Sequence, residues 1–307
     1  MRNQNAIMAV VNQDYLGPLK TMWTSLFSSN PYPIDFYLFF EDLTEDDISN
    51  LQVFISQWDN KTFIPMVMTS EILEGLPVTK EFPKEIYFKL LGLDILPNDL
   101  HQVLCMDLDM IVQKDISEVF QLPISSSGIA ACPDIFGHYF GLEDNNLDCL
   151  GLDHNRPYFN AGFMLFSLDF IQKIGGGKAI ISLAHMHKDK LYYPEQDILN
   201  ILFHDSYIQL PWEAFNCPPL YYIMNQKEVE KGIHMPLPLK EISAGNIPDG
   251  YFDYTNSMFE TTSVIHYMGG TKPWKSNREP SPVYDIFDQA YTRTCENKAL
   301  KNSSFES

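Results

Sequence analysis

Three short apolar runs, AIMAVV (residues 6–11), IDFYLFF (34–40) and KTFIPMVM (61–68), alternate with two stretches whose apolar residues recur at helical spacing, YLGPLKTMWTSLFSS and TEDDISNLQVFISQW. Runs this short read as strands, and strands separated by helices cannot be joined as hairpins. The β-α-β-α-β order therefore predicts a largely parallel sheet covered by helices. The second helix has Thr44 or Asp46 available as its N-cap. The alternation continues with FPKEIYFKLLGLDIL as a helix. The runs around VLCMDLDMIV, GIAACPDI and YFNAGFMLF are strands. SLDFIQKI is a helix opened by Ser167, EQDILNILFH a short helix, SVIHYMGG a strand, and a last helix falls near 280–298. Between about 210 and 260 the chain is rich in Pro, Gly and aromatic residues, which predicts long irregular loops. Trp212, Phe215, Tyr221 and Tyr222 in that stretch can stack on a sugar or fill a core.

The 307 residues suffice for one large α/β domain or two small ones. A net charge of −19 argues against nucleic acid and anionic membrane surfaces as partners. Any anionic ligand must then be held by local positive charge, which a divalent metal would supply. The five cysteines show no C-x-x-C spacing, which speaks against a zinc site or a disulfide framework. The N-terminal apolar stretch is too short for a signal peptide, and no run is long enough to span a membrane. A cytoplasmic location, free or peripheral to the membrane, is the expectation. The glycan-acceptor patterns at Asn60 and Asn302 carry no weight without a secretory signal.

Within VLCMDLDMIV, an apolar strand carries two carboxylates, Asp107 and Asp109. Residues i and i+2 of a strand share a face, so the two charges would repel at close range. A hard divalent cation removes that repulsion, and in parallel sheets ligands bind beyond the carboxyl ends of the strands. The plainer alternative is a pair of acids capping a strand at a solvent edge. A phosphatase of the haloacid dehalogenase type also uses D-x-D after a strand. It requires a later acidic pair that this sequence lacks, and its fifth motif position is here Ile111.

The segment HYMGGTKPW (266–274) suits a diphosphate. His266 can ligate a metal, Gly269 and Gly270 permit close backbone approach, and Lys272 brings a point charge. It is not a Walker A loop, and neither is GGGK at 175–178, which reads as a helix end.

Taken together, VVNQDY, MDLDMIV, FNAGFMLF, EQDILN and HYMGGTKPW resemble, in the same order, the motifs of the retaining glycosyltransferases of family 8, over residues about 5 to 280. The resemblance implies a GT-A fold: Rossmann-like α/β, with a mostly parallel central sheet flanked by helices, in a single domain with an irregular C-terminal portion. A nucleotide-binding half (1–110) and a donor-sugar and acceptor half (111–280) would precede a C-terminal helix and polar tail (281–307). It further implies transfer of galactose or glucose from a UDP-sugar to a glycan or glycoconjugate hydroxyl, with Mn²⁺ (or Mg²⁺) as cofactor. Asp107, Asp109 and His266 would hold the metal. Val10, Asn12, Tyr15, Leu108, Gly269 and Lys272 would meet the nucleotide. Lys89, Asp134, Asn160 and Glu195 would surround the donor sugar, with Gln196 and Asp197 catalytic. The chain departs from the family pattern where many members carry Asp (here Glu195), Arg (here Lys89) and, in some relatives, Asp (here Asn12). A non-catalytic nucleotide-sugar or glycan-binding protein is the other reading, and it expects broken metal or phosphate motifs.

Overall fold

The computed structural model describes residues 5–218, 258–270, 272–275 and 282–304. Its centre is a seven-stranded sheet formed by β1 (Ala6–Val10), β2 (Ile34–Phe40), β3 (Lys61–Val67), β4 (Gln102–Met106), β6 (Ile129–Pro133), β7 (Phe159–Ser167) and β8 (Ile208–Gln209). They lie in the order β3-β2-β1-β4-β7-β6-β8. The first four are mutually parallel, β8 is parallel to β6, and β7 runs antiparallel to both its neighbours. The parallel part is what the alternating runs predict. Strand β5 (Met110–Val112) leaves this sheet and pairs antiparallel with β9 (Val264–His266) in a two-stranded ribbon.

Period-two alternation divides β1 and β2 between two cores. Ile7, Ala9, Ile34, Phe36, Leu38 and Phe40 join one; Ala6, Met8, Tyr37 and Phe39 join the other. The first core is covered by α1 (Leu16–Ser29), α2 (Glu45–Ile55) and α10 (Pro282–Ser304); Trp23 of α1 is fully buried against Phe36, Phe54 and Phe63. The second is covered by α3 (Phe88–Leu91), α6 (Leu168–Lys173), α7 (Gly176–His187) and α8 (Pro194–Phe203). Further short helices are α4 (Ile135–Phe140), α5 (Glu143–Leu150) and α9 (Trp212–Phe215).

The caps follow local chemistry. Thr44 opens α2 in a reciprocal capping box with Asp47, and the Ser167 hydroxyl accepts the Phe170 N–H at the start of α6. The segment expected as one helix at 82–96 is instead α3 flanked by two 3-10 turns. GGGK both follows the end of α6 and opens α7, whose first N–H groups, those of Gly177 and Lys178, donate to Asp94. Trp212 and Phe215 are buried, Phe215 stacking on Phe163 at 5.5 Å, so both serve the core. Tyr221, Tyr222 and most of the stretch expected as irregular loops lie outside the described residues. No helix among the described residues is long and apolar enough to cross a membrane.

One strand expectation is corrected. VLCMDLDMIV is two strands in two sheets, not one. Strand β4 stops at Met106, and Asp107-Leu108-Asp109 form the turn between β4 and β5. The Asp107 N–H still donates to Gly162 of β7 (2.8 Å), whereas Met110 already faces His266 of β9. The chain changes partners at the two aspartates, which frees their side chains from any alternation of faces.

Candidate active site

The chain runs outward from β1 to β2 and β3, then returns to β4 on the other side of β1. That reversal opens a crevice at the carboxyl ends of β1 and β4, where α/β sheets bind ligands. Asn12 follows β1 and Asp107 follows β4, and a cavity of about 940 Å³ lies over both. Every residue that the motif resemblance assigned to the site lines this cavity, except Asp197.

At one corner, Asp107, Asp109 and His266 bring ligand atoms within 4.8 Å of one another. His266 Nε2 stands 3.2 Å from Asp109 Oδ1 and 3.6 Å from Asp107 Oδ2. The β5–β9 ribbon produces this approach: Met110 pairs with His266, and the Tyr267 N–H donates to the Asp109 carbonyl (2.8 Å). Each aspartate also meets a lysine. Lys89 Nζ lies 2.6 Å from Asp107 Oδ1, and Lys272 is hydrogen-bonded to Asp109 Oδ2 and to the Tyr267 carbonyl (3.0 Å). Burial alone would push the Asp109 carboxyl up, but Lys272 and His266 outweigh it and hold it well below the usual carboxylate range. Burial opposes charge on Lys89 too; Asp107 and Glu195 more than restore it and raise its pKa. Two carboxylates and one imidazole suit a divalent cation that accepts both oxygen and nitrogen donors. The phosphatase alternative looks for further acids beside the D-x-D, and the third group at this corner is an imidazole.

Beyond the metal corner, Lys89 bridges to Glu195 Oε1 at 3.3 Å. Two of the three positions that depart from the family pattern are thus each other's partners: the shorter cation faces the longer acid. Glu195 Oε2 is buried with no hydrogen-bond partner among the described residues, and burial pushes the pKa of this carboxyl up. Asn12 Oδ1 is a second buried acceptor without a partner among the described residues. The Tyr15 ring packs edge-on against Trp274 (5.5 Å), and burial raises the pKa of its hydroxyl. Gly269 has φ +83°, a left-handed conformation that favours glycine, and a Cβ there would come within 3.0 Å of Phe136.

The β6–β7 register shifts between Ala131 and Pro133. Residues 160–162 of β7 lie outside the paired registers with β4 and β6, and two of their N–H groups turn to side chains. The Ala161 N–H donates to Gln196 Oε1 (2.8 Å) and the Gly162 N–H to Asn160 Oδ1 (2.9 Å). Gln196 Nε2 donates to Asp134 Oδ2 (2.7 Å), whose other oxygen accepts the Gly137 N–H at the start of α4. Burial raises the Asp134 pKa against these two hydrogen bonds. Asn200, one turn along α8, exchanges two hydrogen bonds with the Phe159 backbone and fixes α8 against β7.

Asp197 is the exception. Successive helical residues point about 100° apart, so Gln196 faces the cavity while Asp197 turns back to its own helix start. It accepts the N–H groups of Tyr192 and Tyr193 (2.6 and 2.7 Å) and the Tyr158 hydroxyl. Burial raises its pKa to about 6, against those three donors. Its place is that of a cap holding the Tyr192–Tyr193 loop, and it does not reach the cavity.

A family model for glycosyl transferase family 8 matches residues 6–278. The chain belongs to glycosyl transferase family 8. Among relatives of this family 8 protein is a lipopolysaccharide 1,2-glucosyltransferase of Escherichia coli K12, 26% identical over 86% of this chain and 71% of its own length. A probable glycosyl transferase Gly of Streptococcus gordonii is 26% identical over 57% of this chain, which spans only 20% of that longer protein. Galactosyltransferase LgtC, crystallised with donor and acceptor sugar analogs, shares the fold with a TM-score of 0.72 at 20% identity, over 94% of this chain and 95% of LgtC. Glycosyltransferase GlyE of Streptococcus pneumoniae TIGR4 does so with a TM-score of 0.64 at 17% identity, over 98% and 64% of the two chains. The family 8 chain thus has the GT-A fold and is a glycosyltransferase.

Sequence reasoning missed several residues of this family 8 site. Phe82 and Tyr193, in edge-to-face contact at 5.7 Å, line the cavity, and Tyr192 stands 71% exposed at its wall. Asn216 lies behind the metal corner with its side-chain oxygen 2.7 Å from His266 Nδ1. A lone Asn in FNCPP carries no spacing signal, and only the fold reveals its partner.

Proposed function

We propose that this protein is a retaining hexosyltransferase that moves galactose or glucose from a UDP-sugar to a glycan or glycoconjugate hydroxyl, with Mn²⁺. One observation carries the reading: Asp107, Asp109 and His266 share a single cavity with Lys272 and with two unsatisfied buried acceptors, Asn12 Oδ1 and Glu195 Oε2. The first three residues would hold the cation, which when bound supplies positive charge to the diphosphate.

The chain's own residues do the rest. Asn12 Oδ1 accepts the N–H of the uracil ring, and Tyr15 lies against the base, with Val10 and Leu108 beside the nucleoside. Lys272 neutralises the charge that grows on the diphosphate as the glycosidic bond breaks. Gly269 lets the backbone approach it. Glu195 Oε2 accepts a hydroxyl of the donor sugar, next to Lys89. Gln196 stands by the anomeric carbon with Asn160 and Asp134. The acceptor hydroxyl attacks from the face that UDP leaves. The carbon–phosphate oxygen bond breaks, the new carbon–oxygen bond forms, and the hydroxyl proton passes to the departing phosphate oxygen. Relatives named as lipopolysaccharide glucosyltransferase and galactosyltransferase support a hexose donor.

The test is a panel of UDP-sugars assayed for turnover with Mn²⁺, with EDTA, and with Mn²⁺ restored. Turnover of UDP-glucose or UDP-galactose that EDTA abolishes is expected, with an α-linked product by its NMR coupling constant. A β-linked product, or activity indifferent to EDTA, would contradict the reading.

A further inference from the structure

Four buried side chains connect the metal corner to the amide beside the sugar pocket: His266, Asn216, Asn160 and Gln196. Every donor and acceptor among them can be assigned, because two backbone N–H groups fix the ends. The Gly162 N–H can only donate, so the Asn160 atom it meets at 2.9 Å is the oxygen. The Asn216 atom 3.2 Å from that same oxygen must then be its NH₂. Asn216 consequently turns its own oxygen to His266, 2.7 Å from Nδ1. The Ala161 N–H fixes Gln196 Oε1 in the same way, which leaves Asn160 Nδ2 to donate to it at 3.1 Å. An acceptor facing Nδ1 demands a hydrogen there. The nitrogen left to face Asp107 and Asp109 is Nε2, with its lone pair directed at the carboxylates whenever the ring is neutral.

We propose that Asn216 is a positioning residue for the metal site: its side-chain oxygen fixes the Nδ1–H tautomer and the ring angle of His266, so that Nε2 is presented as a ligand. The inference rests on the metal reading above and goes beyond it, since Asn216 touches neither the carboxylates nor the cavity. The ring also packs directly against Gly162, where a Cβ would lie 2.3 Å from His266 Cε1 and 2.8 Å from Nδ1. Asn216 and the Gly162 backbone together limit how the imidazole can turn. The two ends of the Asn216 amide have separable tasks. The oxygen serves His266, and the NH₂ serves Asn160 in the donor-sugar wall.

That separation provides the test. Mn²⁺ alone is titrated into the wild-type protein, Asn216→Ala and Asn216→Asp, with free Mn²⁺ read by electron paramagnetic resonance and folding checked by circular dichroism. Asn216→Ala removes the acceptor, and Mn²⁺ should bind roughly 10–100-fold more weakly, the range for losing such an outer partner of a metal-bound histidine. Asn216→Asp keeps an acceptor for Nδ1–H and should bind Mn²⁺ at least as tightly as wild type. The same variant loses the NH₂ donor to Asn160, so KM for the donor sugar should rise while Mn²⁺ affinity holds. Should the alanine variant fail to fold, Asn216→Leu, which keeps the volume, replaces it. Wild-type affinity in Asn216→Ala or Asn216→Leu would overturn the proposal, and so would a tenfold loss in Asn216→Asp. A wild-type protein that binds no Mn²⁺ would overturn the metal reading itself and this inference with it, an outcome distinct from either.

Discussion

Gly162 and His266 occupy one another's space: the place a side chain at 162 would take is already filled by the imidazole, with a Cβ falling 2.3 Å from Cε1 and 2.8 Å from Nδ1. Gly162→Ala must push the ring out of line. Overpacking of this kind costs about 1–3 kcal/mol of stability, and a catalytic group displaced by about 1 Å costs on the order of 10²-fold in rate. Denaturant unfolding and initial transfer rates measure the two effects. An alanine variant with the parent's rate would mean that His266 is not needed where it stands.

Lys272→Ala should shift two affinities in opposite directions. Lys272 now engages Asp109, a proposed metal ligand, so its removal frees that carboxylate and Mn²⁺ alone should bind more tightly. UDP with Mn²⁺ should bind more weakly, by about 1.5–3 kcal/mol, the range for a hydrogen bond to a charged group. Calorimetry separates the two. Unchanged UDP affinity would exclude Lys272 from the diphosphate site.

Lys89 is the buried cation between Asp107 and Glu195. Lys89→Met leaves both acids without it and should cost about 3–5 kcal/mol in urea unfolding. Adding Glu195→Gln removes one of those charges, so the double variant should be more stable than the sum of the single effects predicts, with a coupling of about 0.5–3 kcal/mol. Strict additivity would show that the pair does not interact energetically.

Lys61 titrates far from the site. Its Nζ donates to the Asn30 carbonyl (2.7 Å) and to that of Tyr32, with the rings of Phe27 and Tyr32 each 5.7 Å away. Burial brings its pKa down to about 8. An unfolded lysine titrates near about 10.4, so between those values the unfolded chain binds more protons and stability rises with pH. Lys61→Met should remove that part of the slope. Thermal unfolding of both proteins between about pH 8 and 10 provides the comparison, and parallel pH profiles would refute the assignment.

What could be read in advance depended on how local the signal was. Strands β1, β2 and β3 and the caps Thr44 and Ser167 follow from short-range pattern and chemistry, and the structure has them. The aspartate pair stood out because two carboxylates in an apolar run demand an explanation. Its strand was not: a period-two reading cannot show that VLCMDLDMIV is shared between two sheets, since β9 lies far along the chain. Helical geometry separates Gln196 from its neighbour Asp197, which a motif read as a string does not reveal. The Asn216–His266 contact follows from the pairing of Cys217 with β9, and the Gly162–His266 contact from the packing of β7 against β9, so both could come only from the fold.

The β5–β9 ribbon has a consequence in polymer terms. Asp109 and Lys272 are 163 residues apart in sequence. Bringing two points so distant together costs an unfolded chain about 4–5 kcal/mol in closure entropy on the (3/2)RT ln n scaling. A cation held by Asp107, Asp109 and His266 would act as a strap across that span, sharing the cost with the ribbon. The ribbon pairs three residues with three, and Tyr267 N–H to the Asp109 carbonyl and Gln113 N–H to the Ser263 carbonyl extend it at either end. Hydrogen exchange in β9 should therefore slow when Mn²⁺ is added, while exchange in β1 and β2 stays as it was. A bound cation would thus close a loop of the chain as well as serve the chemistry.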